Sequence, residues 1–323
     1  MADLNFNTNI SKSIDLNSSS DNNNLHNNHS TSESHATTDS DIPTPANTRG
    51  MSAEELNDAN KITINIADKQ TPLIILFGSP SSGKTMTLVR LTRFLRTQGY
   101  SVTPVTSFRP AYDDNYKQMC DSFDFMINNE EAANANARIN FMLLKVSKNG
   151  NPICQILEGP GEHYFHPEKP TAPFPRYINA IINSNSRKIW TIMVEPDNTN
   201  PRMDLTARTF YANKIQKLKS SLNPRDKVVF LYNKIDATDF IISPGVVKEK
   251  LAMKDVSDMY PGIFTPFLNQ IPIIKSFRPY NFDFVSFHTG DYTKAADTTL
   301  MFTAGHDNYP RNLWRILLKR IHG

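Results

Sequence analysis

The stretch that decides the fold is Leu73-Ile-Ile-Leu-Phe-Gly-Ser-Pro-Ser-Ser-Gly-Lys-Thr85. Its second half matches the pattern G-x-x-x-x-G-K-[ST], and its first half is an apolar run typical of a buried strand. The residues from Thr85 to Gln98 carry leucines at helical spacing and end at Gly99, which predicts a helix. A strand, a glycine-containing loop and a helix in this order are the context that a phosphate-binding loop requires.

This segment, residues 78–85, is called the phosphate loop below. Gly78 and Gly83 allow the backbone to turn its N–H groups toward phosphate oxygens, and the start of the helix adds partial positive charge. Lys84 can reach the β- and γ-phosphates, and the Thr85 hydroxyl can ligate Mg²⁺. The predicted nucleotide-binding residues here are Gly78, Ser79, Ser81, Ser82, Gly83, Lys84, Thr85 and Met86.

Around the phosphate loop, apolar blocks alternate with helical stretches. Lys-Asn-Gly-Asn at residues 148–151 is a turn signal that predicts an antiparallel hairpin. The alternation predicts an α/β fold with a mostly parallel central sheet, flanked by helices and edged by that hairpin. Strands are expected at 62–66, 72–77, 101–108, 139–147, 152–158, 188–194, 227–232 and 282–287, and further helices at 205–222 and 312–321.

Composition divides the chain in two. Residues 1–60 are rich in Asn, Ser and Asp, contain one aromatic residue, and hold nine acidic and two basic residues. Such a segment cannot bury enough apolar surface to offset its ordering entropy, so a disordered acidic tail is predicted. Residues 61–323 are expected to form one domain, with an insertion at about 240–282 as the candidate partner surface.

The overall charge is +3, and the acidic tail therefore leaves the body strongly basic. This balance fits either attraction to a phosphate ligand or anionic surface, or an ordinary solvated surface, and the second interpretation is favoured. No stretch approaches about 18 uninterrupted apolar residues, so no transmembrane segment is expected. The N-terminus lacks a secretory pattern and the cysteines number two, which predicts a cytoplasmic protein.

A second motif, Asn233-Lys-Ile-Asp236, follows another buried-strand run. Here the chain resembles the P-loop GTPases of the translation-factor and Ras-like class, whose guanine motif is Asn-Lys-x-Asp. Within that class it is similar to bacterial GTPases encoded in multi-gene systems. The resemblance implies GTP or GDP with Mg²⁺ as ligands. It also implies that Asp236 accepts N–H bonds from guanine, Asn233 braces the loop and base, and the Lys234 stem covers the ring. Adenine offers no such donor pair.

The same resemblance extends to Leu157-Glu-Gly-Pro-Gly-Glu162. It implies that Gly161 meets the γ-phosphate and that Glu158, where the family usually has Asp, helps Thr85 to hold Mg²⁺. Glu162 stands where Ras-like proteins carry a water-orienting Gln, which implies slow hydrolysis, and His163 is the alternative. The candidate catalytic residues are thus Lys84, Gly161, Glu162 and His163.

Two family features are poorly matched. The base-closing loop is assigned to Ser286 and Phe287, on one matching letter of three. Residues 128–140 contain no Thr that could complete a Mg²⁺ shell, so either Thr106 or another group completes it, or the first switch is degenerate.

Three functions remain open at this point. The first is a slow GTPase that acts as a switch with a protein partner, and no specific nucleic-acid partner is predicted. The second is a non-hydrolysing docking module, suggested by Glu158 and Glu162. The third is a P-loop kinase for a small molecule, which needs an arginine-bearing lid and leaves Asn233–Asp236 unexplained.

Overall fold

The computed structural model describes residues 51–128, 141–294 and 300–323, and within them the strands form one large sheet and two small hairpins. The strands are β1 (Leu73–Phe77), β2 (Tyr100–Pro104), β3 (Met142–Lys148), β4 (Asn151–Glu158), β5 (Lys188–Val194), β6 (Lys227–Tyr232), β7 (Ile241–Ser243), β8 (Val246–Val247), β9 (Asp283–Ser286), β10 (Gly290–Lys294) and β11 (Leu300–Ala304).

The large sheet has the order β2-β3-β4-β1-β5-β6-β9. The five strands from β4 to β9 run parallel, whereas β3 is antiparallel to both β4 and β2. All five residues of β1 are buried, and this strand pairs with β4 and β5 on its two sides. The predicted α/β fold, with its mostly parallel sheet and antiparallel hairpin edge, is therefore confirmed.

Helices connect and flank these strands. They are α1 (Ala53–Asn57), α2 (Lys84–Thr97), α3 (Asp114–Asp121), α4 (Phe123–Asn128), α5 (Gly161–Tyr164), α6 (Arg176–Asn183), α7 (Leu205–Ser221), α8 (Glu249–Met259), α9 (Pro272–Phe277) and α10 (Asn308–His322). None of these described helices combines the length and apolar character needed to cross a bilayer. The apolar stripe of α10, with Leu313, Leu317 and Ile321, is buried against the sheet as expected for a covering helix.

Two predicted strands differ from the structure. Residues 62–66 are not a strand, although the Asn65 N–H donates to the Phe108 carbonyl at 2.7 Å. Their alternating pattern lacks a neighbouring strand with which to form a ladder. The strand expected at 101–108 ends at Pro104 and is followed by a 3₁₀ turn at Thr106–Phe108.

The predicted acidic tail lies mostly outside the described residues, but its last ten residues do not. Ser52 and Glu55 form a reciprocal capping box at the start of α1, and Met51 is 2% exposed. The guanidinium of Arg109 donates to both carboxylate oxygens of Glu55, at 2.6 and 2.5 Å. Residues 51–60 therefore belong to the folded domain and not to a disordered tail, because a partner distant in sequence holds α1 in place.

The predicted insertion at 240–282 contains the β7–β8 hairpin, α8 and α9. Its aromatic residues Tyr260, Phe264 and Phe267 are buried, which confirms that they belong to the core. Phe264 and Phe267 cluster with Phe282 and with Phe230 of β6 through edge and tilted ring contacts, and Tyr260 contacts Tyr211 of α7. The insertion is thus anchored to the sheet by aromatic packing.

Candidate functional site

The phosphate loop lies between the end of β1 and the start of α2, at the carboxyl edge of the parallel strands. Gly83 has a φ of +87°, a left-handed conformation that glycine adopts without strain. A Cβ at Gly83 would lie 2.3 Å from the Asn233 side-chain nitrogen, so a larger residue does not fit. The loop serines Ser79 and Ser82 are buried, whereas Ser81 is exposed and Met86 is buried on α2.

Lys84 places its ammonium group inside this loop. Its Nζ donates to the carbonyls of Gly78 and Ser79 at 3.2 and 3.0 Å, and the residue is 6% exposed. Burial lowers the pKa of Lys84, while the carboxylates of Glu158, Glu162 and Glu195 act in the opposite direction. A buried cation at a helix N-terminus is the electrostatic feature that an incoming phosphate group stabilises.

Thr85 and Glu158 meet beside the loop. The Thr85 hydroxyl donates to Glu158 Oε1 at 3.0 Å, and Glu158, at the end of β4, is 1% exposed. A hydroxyl and a carboxylate are oxygen ligands of the kind that Mg²⁺ prefers, and phosphate oxygens and water commonly complete its shell. The donor set therefore fits Mg²⁺ bound together with a nucleotide. The described residues contain no cluster of three or more His, Cys, Asp or Glu that could hold a metal ion without other ligands. The nearby pair His163 and His166 is therefore not part of such a cluster.

Gly161 begins α5 and lies against the phosphate loop. A Cβ at this position would lie 2.3 Å from the Pro80 nitrogen and 2.6 Å from the Ser79 carbonyl carbon. The backbone after β4 therefore contacts the phosphate loop directly. The next residue is Glu162. Together with Pro80, it lines a cavity of about 420 Å³. Gly161 and Glu162, two of the four predicted catalytic residues, therefore lie beside the phosphate loop.

His163 has a different environment. Its Nδ1 lies 2.8 Å from the Tyr177 hydroxyl on α6, and the two rings form an edge contact with centroids 5.6 Å apart. Burial lowers the pKa of His163 to about 4; Lys84 acts in the same direction and Glu162 opposes it. The imidazole is consequently neutral at neutral pH, and one ring nitrogen is engaged by Tyr177.

The segment Asn233–Asp236, called the base corner below, is joined to the phosphate loop by a direct hydrogen bond. The Asn233 side chain, 1% exposed, donates to the Ser82 carbonyl at 2.9 Å. Lys234 has a φ of +55°, and its ammonium donates to Glu195 at 2.5 Å and to the Thr199 carbonyl at 3.0 Å. The two motifs, about 150 residues apart in sequence, thus form one site.

Asp236 stands at the open side of the base corner, with its side chain 46% exposed. Its Oδ1 lies 3.7 Å from Nε2 of His288. Ser286 ends β9, and Phe287 is fully buried and bonded to both sides: its N–H donates to Tyr232 and its carbonyl accepts from Ile235. The predicted base-closing residues therefore lie next to Asp236, and His288 is a neighbour that the motif comparison did not single out.

A buried polar network under the site was also absent from the sequence predictions. Asn200 donates to the Pro80 carbonyl at 2.9 Å and to Glu195 Oε1 at 2.6 Å. Asn200 and Glu195 are at most 3% exposed. Because Glu195 also accepts from Lys234, the network connects the phosphate loop to the base corner. Glu195 directly follows β5, and a polar residue at the carboxyl end of a parallel strand is a signal that could have identified it.

No protein-family model and no curated protein matches this chain. Solved structures similar to it include a nucleolar GTP-binding protein 1 from Plasmodium falciparum. That likeness has 15% identity over 80% of this chain and 92% of the other, with a TM-score of 0.36. Another is the GDP-bound Roco2 RocCORdC of Methanosarcina barkeri, at 13% identity over 80% of this chain and 51% of the other, with a TM-score of 0.30. This chain spans about half of that second structure. Both TM-scores are low, so the site is interpreted below from its own geometry.

Proposed function

We propose that the protein binds guanine nucleotides, hydrolyses GTP slowly, and acts as a nucleotide-dependent switch for a protein partner. The observation that carries this proposal is the hydrogen bond from Asn233 to the Ser82 carbonyl. This bond joins the two ends of one site. The phosphate loop would lie at one end, and the Asp236 carboxylate, which can select guanine, would lie at the other. A phosphate loop alone fits many nucleotides, whereas this pairing favours a guanine nucleotide.

Base selection follows from hydrogen-bond complementarity. The Asp236 carboxylate can accept two N–H bonds, from N1 and the 2-amino group of guanine. Adenine lacks this donor pair and would leave the carboxylate without those partners. The Lys234 stem would cover the base, and the bonds of its ammonium to Glu195 and the Thr199 carbonyl would hold it there.

The phosphate end supplies charge and orientation. Lys84 would exchange its bonds to the Gly78 and Ser79 carbonyls for phosphate oxygens, and the amides of the phosphate loop would bind the others. Thr85 and Glu158 are the residues that would hold Mg²⁺, which when bound neutralises charge on the phosphates. In hydrolysis, a water adds to the γ-phosphorus while the bond between that phosphorus and its bridging oxygen breaks.

The surroundings of the γ-phosphate support a low intrinsic rate. Glu162 adds negative charge where a neutral amide would orient water, and His163 is engaged with Tyr177. The same observation favours a second candidate function, a docking module that binds GTP without hydrolysing it. In both cases Gly161, which packs on Pro80, would contact the γ-phosphate and transmit its presence to residues 162–176.

The binding part of the proposal is tested with Asp236→Ala and Asp236→Asn. We expect wild-type protein to prefer GTP over ATP in competition with a fluorescent guanine nucleotide, and Asp236→Ala to lose that preference. Asp236→Asn offers an amide N–H to xanthine, which carries an oxygen in place of the 2-amino group, so XTP should gain relative to GTP. A preference for ATP, or an unchanged GTP affinity in Asp236→Ala, would refute guanine binding.

Hydrolysis is tested separately, by single-turnover release of phosphate from GTP. A slow rate that exceeds the buffer rate and falls in Lys84→Ala supports the GTPase. Release at the buffer rate by protein with bound GTP supports the docking module instead.

A further inference from the structure

The insertion contains a protruding loop whose base is fixed and whose tip is apolar. Leu268 and Tyr280 form an isolated antiparallel bridge at the base. Two backbone bonds strengthen it: Asn269 N–H to the Pro279 carbonyl at 2.9 Å, and Asn281 N–H to the Phe267 carbonyl at 2.7 Å. Phe267 is itself buried in the aromatic core. Residues 270–278, called the apolar loop below, therefore project from a firmly held base.

The apolar loop exposes four large hydrophobic side chains within seven residues. Their exposed fractions are 56% for Ile271, 74% for Ile273, 44% for Ile274 and 88% for Phe277. Single exposed hydrophobic residues are ordinary on protein surfaces, but a contiguous group of this kind marks an interaction site. The aromatic residues Tyr260, Phe264 and Phe267 of the insertion belong to the core, and the apolar loop carries the densest group of exposed hydrophobic side chains in the insertion.

The charges of the apolar loop have one sign. It carries Lys275 and Arg278 and no acidic residue. In the helix α9, Ile273, Ile274 and Phe277 share one face by helical spacing, Lys275 lies on the opposite face, and Arg278 directly follows the end of the helix. This arrangement allows hydrophobic side chains to enter an apolar medium while the cations stay at its polar boundary.

The neighbouring surface extends the cationic character. A cavity of about 530 Å³ beside the loop is bordered by three cations, Arg278, Arg315 and Lys319, and two acids, Glu249 and Asp283. Asp283 accepts bonds from Lys319 at 3.0 Å and from Arg320 at 2.6 Å, and its carboxylate also lies 3.6 Å from the Arg278 guanidinium. The exposed residues Lys248 and Lys250 border the adjoining cavity with Leu251, which is 47% exposed.

We propose that the apolar loop binds the surface of a membrane that contains anionic lipids, with its isoleucines and Phe277 inserted and its cations at the headgroups. Charge complementarity favours an anionic membrane. The apolar loop and the surface beside it combine exposed hydrophobic residues with an excess of cations, which anionic headgroups would neutralise. An uncharged apolar groove on another protein would give Lys275 and the neighbouring lysines no partner. This binding is peripheral and is separate from the nucleotide site.

The experiment is co-sedimentation of the full chain with vesicles of phosphatidylcholine, with and without phosphatidylserine. We expect binding to the anionic vesicles that weakens as salt is added. The double variant Ile273→Asp/Phe277→Asp should bind at least about tenfold more weakly, because two inserted side chains are lost. Lys275→Glu should weaken binding about fivefold or more, consistent with the effect of one basic residue near an anionic surface.

Two matched variants control for nonspecific effects. Tyr112→Asp replaces another aromatic residue that is 84% exposed, and Lys117→Glu reverses another exposed lysine; both should bind vesicles as the wild type does. All variants change exposed residues, and an unchanged melting temperature will verify that they fold. Absence of binding to anionic vesicles, or equal binding by the double variant, would overturn the proposal. Self-association that the double variant abolishes would also overturn it, by assigning the loop to a second copy of the chain.

Discussion

Replacement of Gly83 by Ala perturbs the joint between the two halves of the nucleotide site. The left-handed backbone at φ +87° costs a non-glycine residue about 1–2 kcal/mol. The added methyl carbon would also lie 2.3 Å from the Asn233 side-chain nitrogen and would displace it from the Ser82 carbonyl. Loss of that hydrogen bond adds about 0.5–1.5 kcal/mol. The backbone cost lowers the stability of the folded protein, whereas the loss of the contact between the two motifs predicts a loss of GDP and GTP affinity of about two- to twelvefold.

The assay is titration calorimetry or fluorescent-nucleotide binding, with thermal unfolding measured in parallel. Gly150→Ala is the matched control, since Gly150 has a similar φ of +79° but no atom within 4 Å of an added Cβ. It should lower stability by about 1–2 kcal/mol through the backbone alone and leave nucleotide affinity unchanged. If Gly83→Ala binds nucleotide as tightly as Gly150→Ala, the contact between Asn233 and the phosphate loop is not part of the binding site.

Two further predictions concern buried polar contacts. Asn200→Ala removes the donor to Pro80 and Glu195 and should weaken GDP binding about tenfold, as measured by fluorescent-nucleotide displacement. Asn312→Ala, which removes a similar bond to the Gly245 carbonyl away from the site, should leave affinity unchanged; an equal effect would contradict a role for the Asn200 network. For Glu55, burial opposes ionisation, but the bonds from Arg109 and Ser52 outweigh it and lower the pKa. Its contribution to stability, about 2 kcal/mol relative to Glu55→Gln, is therefore full above the unfolded pKa of about 4.3 and is lost as pH falls through the lower folded value. Urea unfolding of the two proteins from pH 7 to pH 3 should show converging midpoints, and a constant difference would refute the ionic contact.

Local sequence was sufficient for most of the sheet. The runs that became β1, β5 and β6 are short, apolar and bounded by polar residues, and parallel strands buried on both faces have that pattern. The strand, loop and helix around residues 78–85 were predictable because the motif requires particular residues at fixed spacing in that context. The strand predicted at residues 62–66 was wrong because an alternating pattern specifies a strand only when a neighbouring strand is available.

Contacts between distant residues could not be predicted in the same way. No local pattern reveals that Arg109 reaches Glu55, or that His163 lies against Tyr177. The burial of His163, which lowers its pKa to about 4, is a property of the packed core around it. The apolar loop is a comparable case, since the sequence predicted the insertion as a candidate partner surface but did not show which of its isoleucines would be exposed.

We propose that one pocket binds the triphosphate and selects guanine. The most direct test of this proposal is the identity of the nucleotide that the protein retains. The protein would be incubated with equal concentrations of GTP and ATP in the presence of Mg²⁺, desalted and denatured, and the released nucleotides separated by chromatography. We predict guanine nucleotides in the released fraction, and their loss in Asp236→Ala. Adenine nucleotides in the wild-type fraction, or no retained nucleotide at all, would contradict the account.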